Sequence, residues 1–270
     1  MKELERYWDK SENIPEYDPS FTGVCGTYID RSETYSVFSL INFKKINKFL
    51  DAGCGTGRHL INLPKNVDVY GLDHSAPMIE EAKKKVKNVK FFVSDVEKMP
   101  FDDNYFDVVI SVRVLQHLVY QDRAIKEMSR VLKKNGKLIV MNYNKYTLLC
   151  LYKWIRKNKI RKLFGLPFNI LFGKSPFEPW RQPLDFYNSP SELKKMFRNN
   201  GLKVRFVRGS VFAQAELFGF FGINKIPIIK NMLLKFFDLS YKLEKKYGHL
   251  FPLNAFSGMM HRCRKFADQP

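Results

Sequence analysis

The stretch Leu50-Asp51-Ala52-Gly53-Cys54-Gly55-Thr56-Gly57 decides the fold, because it joins an apolar strand end to a glycine-rich turn. Glycine reaches positive φ without steric cost, so this spacing predicts a tight turn between a strand and a helix start. The backbone of such a turn approaches a ligand closely and directs N–H groups at it. Asp73 stands 20 residues beyond Gly53, at the end of the next predicted strand, where a carboxylate commonly grips a ribose diol.

Outward from this turn, predicted strands and helices alternate regularly. The strands are 67–72, 89–93, 106–111 and, after an Asn135-Gly136 turn, 137–141; the helices are 58–63, 75–86 and 122–132. Pro64 ends the first helix, and Ser75 with Pro77 just inside begins the second. Residues 31–47 also carry apolar side chains at helical spacing. This alternation predicts βαβ units and a parallel sheet.

The rhythm breaks after residue 144. The run Ser189-Pro190-Ser191-Glu192 predicts a capped helix through Arg198, and two further strands are predicted at 203–208 and 256–263, the last returning along the sheet edge. The predicted fold class is therefore α/β, with a doubly wound, mostly parallel, seven-stranded Rossmann-like sheet and helical insertions after strands 5 and 6.

The chain divides into three predicted regions. Residues 1–47 form an N-terminal lid or helical region, in which Tyr17, Phe21 and Tyr28 suit a cover over the site. Residues 48–144 form the cofactor-binding core. Residues 145–270 complete the sheet, at about 202–209 and 256–264, and carry basic, aromatic-rich substrate-binding insertions at about 145–188 and 211–252.

Composition excludes several classes of protein. The cysteines at 25, 54, 150 and 263 form no C-x-x-C pair, so we expect no disulfide framework, no metal site and a reducing, cytoplasmic compartment. The charged N-terminus lacks an apolar h-region, which predicts no signal peptide. No run of about 18 uncharged apolar residues occurs, so we expect no membrane-spanning helix.

The glycine pattern separates two classes of cofactor. Dinucleotide enzymes use G-x-G-x-x-G beneath a pyrophosphate, whereas this chain has G-x-G-x-G preceded by Asp51. A carboxylate beside the loop repels a pyrophosphate but attracts an ammonium or sulfonium group. The charge therefore favours S-adenosylmethionine.

Several blocks around the loop share their order with one known family. They are Asp51–Arg58, Gly71–Ser75, Ser94–Asp107 and Ser129–Gly136. Together they resemble the class I S-adenosylmethionine-dependent methyltransferases over about residues 45–142, and in particular the small-molecule ("type 11") group that includes the ubiquinone/menaquinone C-methyltransferases.

The resemblance implies roles for individual side chains. Asp51 would hold the amino group of the cofactor, Asp73 the ribose hydroxyls and Asp95 the adenine amino group. The implied cofactor-binding set is Asp51, Gly53, Cys54, Gly55, Gly57, Arg58, Asp73, His74, Asp95, Val96 and Ser111. Plainer roles stay open, since the glycines also suit a ligand-free turn, Asp73 a helix cap and Asp95 a turn cap.

Methyl transfer from a sulfonium needs a base only when the nucleophile must lose a proton. His117, Tyr28 and Tyr143 are the candidates by location. The place of the (Asp/Asn)-Pro-Pro-aromatic run of nucleobase amine methyltransferases reads Ser111-Val112-Arg113-Val114, and the chain has no Pro-Cys dipeptide. Both features argue against direct nucleobase methylation by those two routes.

Charge is concentrated in the second half of the chain. Residues 1–150 hold 23 basic and 20 acidic residues, whereas residues 151–270 hold 23 and 7. The basic, aromatic segments 146–164 and 218–237 suit an anionic membrane surface, a substrate pocket or RNA.

We expect a small-molecule acceptor that is apolar, lipid-linked or anionic, such as a quinone precursor or glycan intermediate, with Arg181, Lys194 and Arg208 as candidate anion partners. We also expect a cytoplasmic protein that associates peripherally with the inner membrane face. The alternatives are an RNA methyltransferase and a non-catalytic cofactor-binding partner subunit.

Overall fold

The computed structural model describes residues 10–11, 14, 17–61, 63–146, 186–212, 227–247 and 256–265. The first insertion, 145–188, the segment 146–164 and Arg181 therefore lie wholly or largely outside the described residues, whereas residues 227–247 of the second insertion, 211–252, are described. All seven predicted strands fall within them.

A seven-stranded sheet forms the centre of the fold, in the order β3-β2-β1-β4-β5-β7-β6. The strands are β1 Lys48–Ala52, β2 Asp68–Asp73, β3 Val89–Val93, β4 Phe106–Val112, β5 Leu132–Tyr143, β6 Leu202–Phe212 and β7 Phe256–Lys265. Strands β1 to β5 are parallel, and β7 is antiparallel to both β5 and β6. The predicted α/β class and mostly parallel sheet are confirmed.

The last strand was placed wrongly by the sequence. Strand β7 pairs with β5 on one side and β6 on the other, so β6 forms the edge. The local sequence of β7 does not show its place in the sheet, because the order of strands depends on pairing between distant segments.

Five α-helices flank the sheet in the described part of the chain. They are α1 Gly23–Phe38, α2 Ala76–Lys85, α3 Gln121–Val131, α4 Pro190–Asn199 and α5 Pro227–Tyr247. The caps predicted for α2 and α4 are confirmed, since the Ser75 hydroxyl accepts from the Met78 amide and Ser189 and Glu192 form a capping box. None of these helices combines the length and the apolar character needed to cross a bilayer.

Three predicted boundaries were wrong. At the start of the predicted helix 58–63, Arg58–Leu60 form a 3-10 turn, because too few residues separate Gly57 from Pro64 for a stable helix. Helix α1 begins at Gly23, eight residues before the predicted start at 31, and it ends at Phe38. Strand β5 already begins at Leu132, and the Asn135-Gly136 turn is an irregularity within it.

Two apolar layers lie on opposite faces of the sheet. Alternate β4 residues point to opposite sides, so Val109 joins the layer that contains Met128 of α3 and Phe197 of α4. Ile110 joins the layer that contains Ile79 of α2. This two-sided burial explains why β4 is a continuous apolar run and makes the fold doubly wound.

The packing of α4 gives a test of this core. Replacing the buried Phe197 by Ala leaves a cavity and should lower the free energy of unfolding by about 3–5 kcal/mol. Urea denaturation followed by circular dichroism measures it. The exposed Lys195→Ala on the same helix is the control and should change stability by less than about 0.5 kcal/mol; a loss below about 1 kcal/mol for Phe197→Ala contradicts the core position of α4.

Candidate functional site

The site lies at the carboxyl ends of β1, β2 and β4. The strand order runs from β3 back to β1 and then on to β4, so the connections diverge at β1 and open a crevice there. The glycine turn that follows β1 lines this crevice. Its Gly53 and Cys54 amides both donate to the Leu72 carbonyl oxygen, at 2.7 and 2.9 Å, which ties the turn to the neighbouring strand.

Gly53 carries the tightest geometric constraint in the turn. Its φ is 86°, and an added Cβ would lie 2.2 Å from Val114 Cγ2. Gly55 and Gly57 also have positive φ, 52° and 79°. A side chain is therefore excluded at Gly53 by both conformation and space, so only a glycine fits at this point of the turn.

Asp51 is a buried carboxylate with an unusual environment. It is 1% exposed, and within the described residues neither carboxylate oxygen has a hydrogen-bond partner. Burial, reinforced by the negative charge of Asp73, raises the pKa of Asp51 to about 7. An unpaired buried carboxylate is costly, and a bound ammonium group would remove that cost. Asp51, which was predicted to hold a cationic amino group, thus lacks, among the described residues, the hydrogen-bond donors that such a group would supply.

Asp73 fastens the glycine turn to the start of α2. Its Oδ2 accepts from the Gly55 amide at 2.8 Å, and its Oδ1 accepts from the Ser75 amide at 3.0 Å. His74 Nδ1 lies 3.4 Å from Asp73 Oδ1, on a half-exposed ring. The carboxylate therefore lies at the carboxyl end of β2, beside the glycine turn.

The remaining predicted cofactor residues also have roles within the fold. The Asp95 carboxylate accepts from the Glu97 amide at 2.7 Å, while the neighbouring Val96 is buried. The Ser111 hydroxyl donates to the Ala52 carbonyl at 3.0 Å and so joins β4 to β1. Cys54 is buried, and desolvation raises the pKa of its thiol well above the usual value.

The segment before α1 lies over the glycine turn. The Thr56 hydroxyl donates to Asp18 Oδ1 at 2.7 Å, and Lys85 forms an ion pair with the same carboxylate. A Cβ added at Gly55 would lie 3.5 Å from the Tyr17 hydroxyl. Burial raises the pKa of Tyr17 to about 12, so its phenol stays protonated beside the turn.

Glu33 of α1 links both sides of the crevice. It is fully buried and accepts from Arg58 Nη2 at 2.7 Å and from the guanidinium of Arg113. Arg58 also binds Asp30, and Arg113 donates to the Tyr143 hydroxyl. The predicted cofactor residue Arg58 is therefore part of an ion-pair network rather than an unengaged cation.

Sequence reasoning missed Glu33, Arg113 and Asp18. Arg113 had a signal in the sequence, since it is a cation directly after an apolar strand end. In the structure it adopts a φ of 60°. Glu33 had none, because a single acid on a helix is usually solvated. Phe21, noted in the predicted lid, lies beneath both guanidiniums, with ring centroid distances of 3.8 Å to Arg58 and 5.7 Å to Arg113.

The three candidate bases lie in different places. His117 ends a 3-10 turn, Leu115–His117, just after β4 and close to Gln116. Tyr143 ends β5 and contacts Arg113. Tyr28 instead lies between α1 and α5, where its hydroxyl donates to Glu244 and its ring stacks on Phe237. The structure thus gathers His117 and Tyr143 at strand ends beside the crevice and keeps Tyr28 in a helix interface.

Other titratable side chains lie in different environments. His59 is buried with both ring nitrogens unpartnered in the described part of the chain, and desolvation lowers its pKa well below the usual value. Arg208, a candidate anion partner, donates instead to the Glu244 carbonyl at 2.6 Å. Lys194 is exposed on α4. No cluster of His, Cys, Asp and Glu that suits a metal occurs among the described residues.

The titration of Asp51 gives a test of its environment. Its pKa is 3.8 in the unfolded chain and about 7 in the folded protein without ligand. Between these values the folded state holds the extra proton, so the free energy of unfolding should fall as the pH rises. In Asp51→Asn this fall should be reduced, by about 1–4 kcal/mol between pH ~4 and pH ~8, as measured by urea denaturation.

The substitution Asp68→Asn serves as the control for Asp51, since Asp68 is the exposed first residue of the neighbouring strand β2. Its pH dependence should match that of the unmodified chain. If Asp51→Asn also follows the unmodified chain, the carboxylate does not bear the burial cost described.

Known proteins share both the sequence and the fold. The methyltransferase domain family matches residues 50–140. The chain is 36% identical over 183 residues to the demethylmenaquinone methyltransferase of Staphylococcus aureus, covering 63% of this chain and 75% of that protein. It is 35% identical over 153 residues to an uncharacterised protein of Methanocaldococcus jannaschii, covering 55% of this chain and 64% of that protein. The match thus covers three quarters of the length of the bacterial protein but less than two thirds of the length of the archaeal protein.

Two solved structures share the architecture. A SAM-dependent methyltransferase from Thermotoga maritima superposes with a TM-score of 0.62 at 19% identity, covering 94% of this chain and 97% of that one. A SAM-dependent methyltransferase from Aquifex aeolicus gives a TM-score of 0.52 at 19% identity, with coverage of 74% and 93%. At these identities, the likeness establishes the fold.

Proposed function

Because the chain belongs to the class I S-adenosylmethionine-dependent methyltransferases, we propose that it methylates an apolar or lipid-linked small molecule, such as a quinone precursor or a glycan intermediate. The family establishes the enzyme class and the cofactor. The acceptor is the proposal, and the S. aureus relative supports it, since that protein is named for a quinone precursor. The proposal includes work in the cytoplasm at the inner face of a membrane, where such acceptors reside.

The observation that carries the cofactor assignment is the unpaired, buried carboxylate of Asp51 beside the glycine turn. Bound S-adenosylmethionine supplies a methyl group activated on a sulfonium. In the proposed site, Asp51 binds the amino group and Asp73 binds the ribose diol. Asp95, with Val96 beside it, binds the adenine. The glycine turn packs against the methionine part and the ribose.

The chain's own residues would then orient the reactants and exclude water. Tyr17 and the segment through Phe21 cover the turn, and the Glu33 network fixes this cover to the ends of β4 and β5. In-line transfer depends mainly on such positioning. His117 and Tyr143 are the proposed proton acceptors for an acceptor that must lose a proton, because both lie at strand ends beside the crevice.

Cofactor binding tests the role of Asp73. Asp73→Asn keeps an acceptor oxygen for the Gly55 amide but loses the charge that strengthens hydrogen bonds to ribose hydroxyls. We expect the Kd for S-adenosylmethionine to rise about 10- to 100-fold, or about 1–3 kcal/mol, in isothermal titration calorimetry. The control Asp68→Asn, on the same strand but exposed, should bind as the unmodified chain does. An unchanged Kd for Asp73→Asn would remove Asp73 from the site.

Label transfer tests the acceptor class. The protein would be incubated with methyl-labelled S-adenosylmethionine and a cell extract, and the products separated into organic, nucleic-acid, protein and aqueous fractions. We expect the label in the organic fraction, because the predicted insertions are rich in aromatic and aliphatic residues. Label in the nucleic-acid fraction would favour an RNA acceptor instead, and cofactor binding without transfer to any fraction would favour a partner subunit.

A further inference from the structure

Helix α5 has two faces of different chemistry. Leu233, Phe237, Ser240 and Glu244 are buried against the body of the protein. Among them, Glu244 accepts from Ser32 of α1 at 2.6 Å. This inner face fixes the orientation of the helix, and therefore also fixes which residues it presents to solvent.

A neighbouring side of the helix, about 100° around its axis from the inner face, carries an apolar stripe. Met232, Phe236 and Leu239 are 67%, 43% and 56% exposed, and the half-buried Leu243 continues the row. The spacing i, i+4, i+7, i+11 places all four along one line of the helix. Large apolar side chains exposed in a continuous row are uncommon on a protein surface without a partner.

Lysines border this stripe. Lys235, Lys242 and Lys246 are all exposed, and their spacing places them along one flank of the apolar row. The acids of the helix do not cancel them: Glu244 is buried on the inner face, and Asp238 alone pairs with Lys242, at 2.8 Å. We call the four apolar residues and the three lysines the outer face of α5.

Charge decides what covers the outer face. A second copy of the chain would bring two equally basic faces together across a twofold axis, which like-charge repulsion disfavours. An anionic bilayer meets both requirements, since its acyl region accepts the apolar row and its phosphates accept the lysines. RNA would use the lysines but would leave the methionine and leucine side chains without a matching surface.

We propose that the outer face of α5 docks the enzyme on an anionic membrane, with the helix lying in the plane of the headgroups. Met232, Phe236 and Leu239 insert at the boundary with the acyl chains, and the lysines bind lipid phosphates. This inference extends the proposed function and rests on it, because that function places the acceptor in a membrane. Its test measures binding alone, so failure of docking and failure of methylation are separate results.

The experiment is co-sedimentation of the full chain with vesicles, without cofactor or acceptor. Vesicles of phosphatidylcholine are compared with vesicles that also hold roughly 30% phosphatidylglycerol. We expect binding to the anionic vesicles, weakened about 100-fold by Lys235→Gln, Lys242→Gln and Lys246→Gln together, at roughly fivefold per lysine. Phe236→Ser with Leu239→Ser should weaken it at least about tenfold through lost apolar burial.

Matched controls separate the outer face from general surface properties. Ile61→Ser with Val93→Ser removes two side chains that are similarly exposed, 47% and 54%, on other parts of the surface. Lys87→Gln, Lys126→Gln and Lys195→Gln remove three exposed lysines elsewhere. We expect smaller losses from both control sets than from the matching outer-face sets, with circular dichroism confirming that every variant is folded.

Three results would overturn the proposal. The first is no binding to anionic vesicles by the unmodified chain. The second is equal losses from the control and outer-face variants. The third is vesicle binding that the outer-face variants leave unaltered while they abolish another interaction. That interaction would be a dimer seen in sedimentation velocity or lysine-dependent binding to structured RNA.

Discussion

The bond between the glycine turn and the neighbouring strand is the constraint on which the site depends. Two successive amides, from Gly53 and Cys54, donate to the single carbonyl of Leu72. This forces the chain to turn sharply as it leaves β1, with positive φ at Gly53 and no room for a Cβ beside Val114. The carboxylate of Asp73 then binds the next amide of the turn, at Gly55. The glycine turn is thus held in place by the sheet itself.

A second constraint connects this loop to the N-terminal helix. Glu33 is buried between two arginines, one from the glycine turn and one from the end of β4. Removing one partner from such a group would leave a buried charge uncompensated, which is more costly than the pair is stabilising. The network therefore favours one arrangement of α1 over the crevice. It also brings Tyr143 into contact with Arg113, so α1 and the end of β5 share one set of contacts.

Asp51 illustrates how function and stability oppose each other here. The carboxylate is buried without a partner, and its raised pKa measures the cost of ionising it there. A hydrophobic residue of similar size would suit the fold better. A bound cationic group would offset this cost, which is the reason for the role proposed for Asp51. In the docking proposed for α5, a partner surface would likewise stabilise the exposed apolar row.

Local sequence determined the strands of the core, the capped helices α2 and α4 and the glycine turn, because each depends on periodicity, capping or φ preferences within a few residues. It also indicated Asp51 and Asp73, whose positions beside predicted strand ends place carboxylates at one edge of the sheet. It failed for the 3-10 turn at Arg58–Leu60 and for the start of α1, where chain length and packing override propensity. The tertiary structure alone decided that β7 lies between β5 and β6, that Glu33 binds both Arg58 and Arg113, and that Tyr28 packs against α5. The physical reason is the same in each case: strand pairing, ion pairing and the desolvation that raises the pKa of Asp51 all depend on groups that are distant in the chain and meet only when it folds.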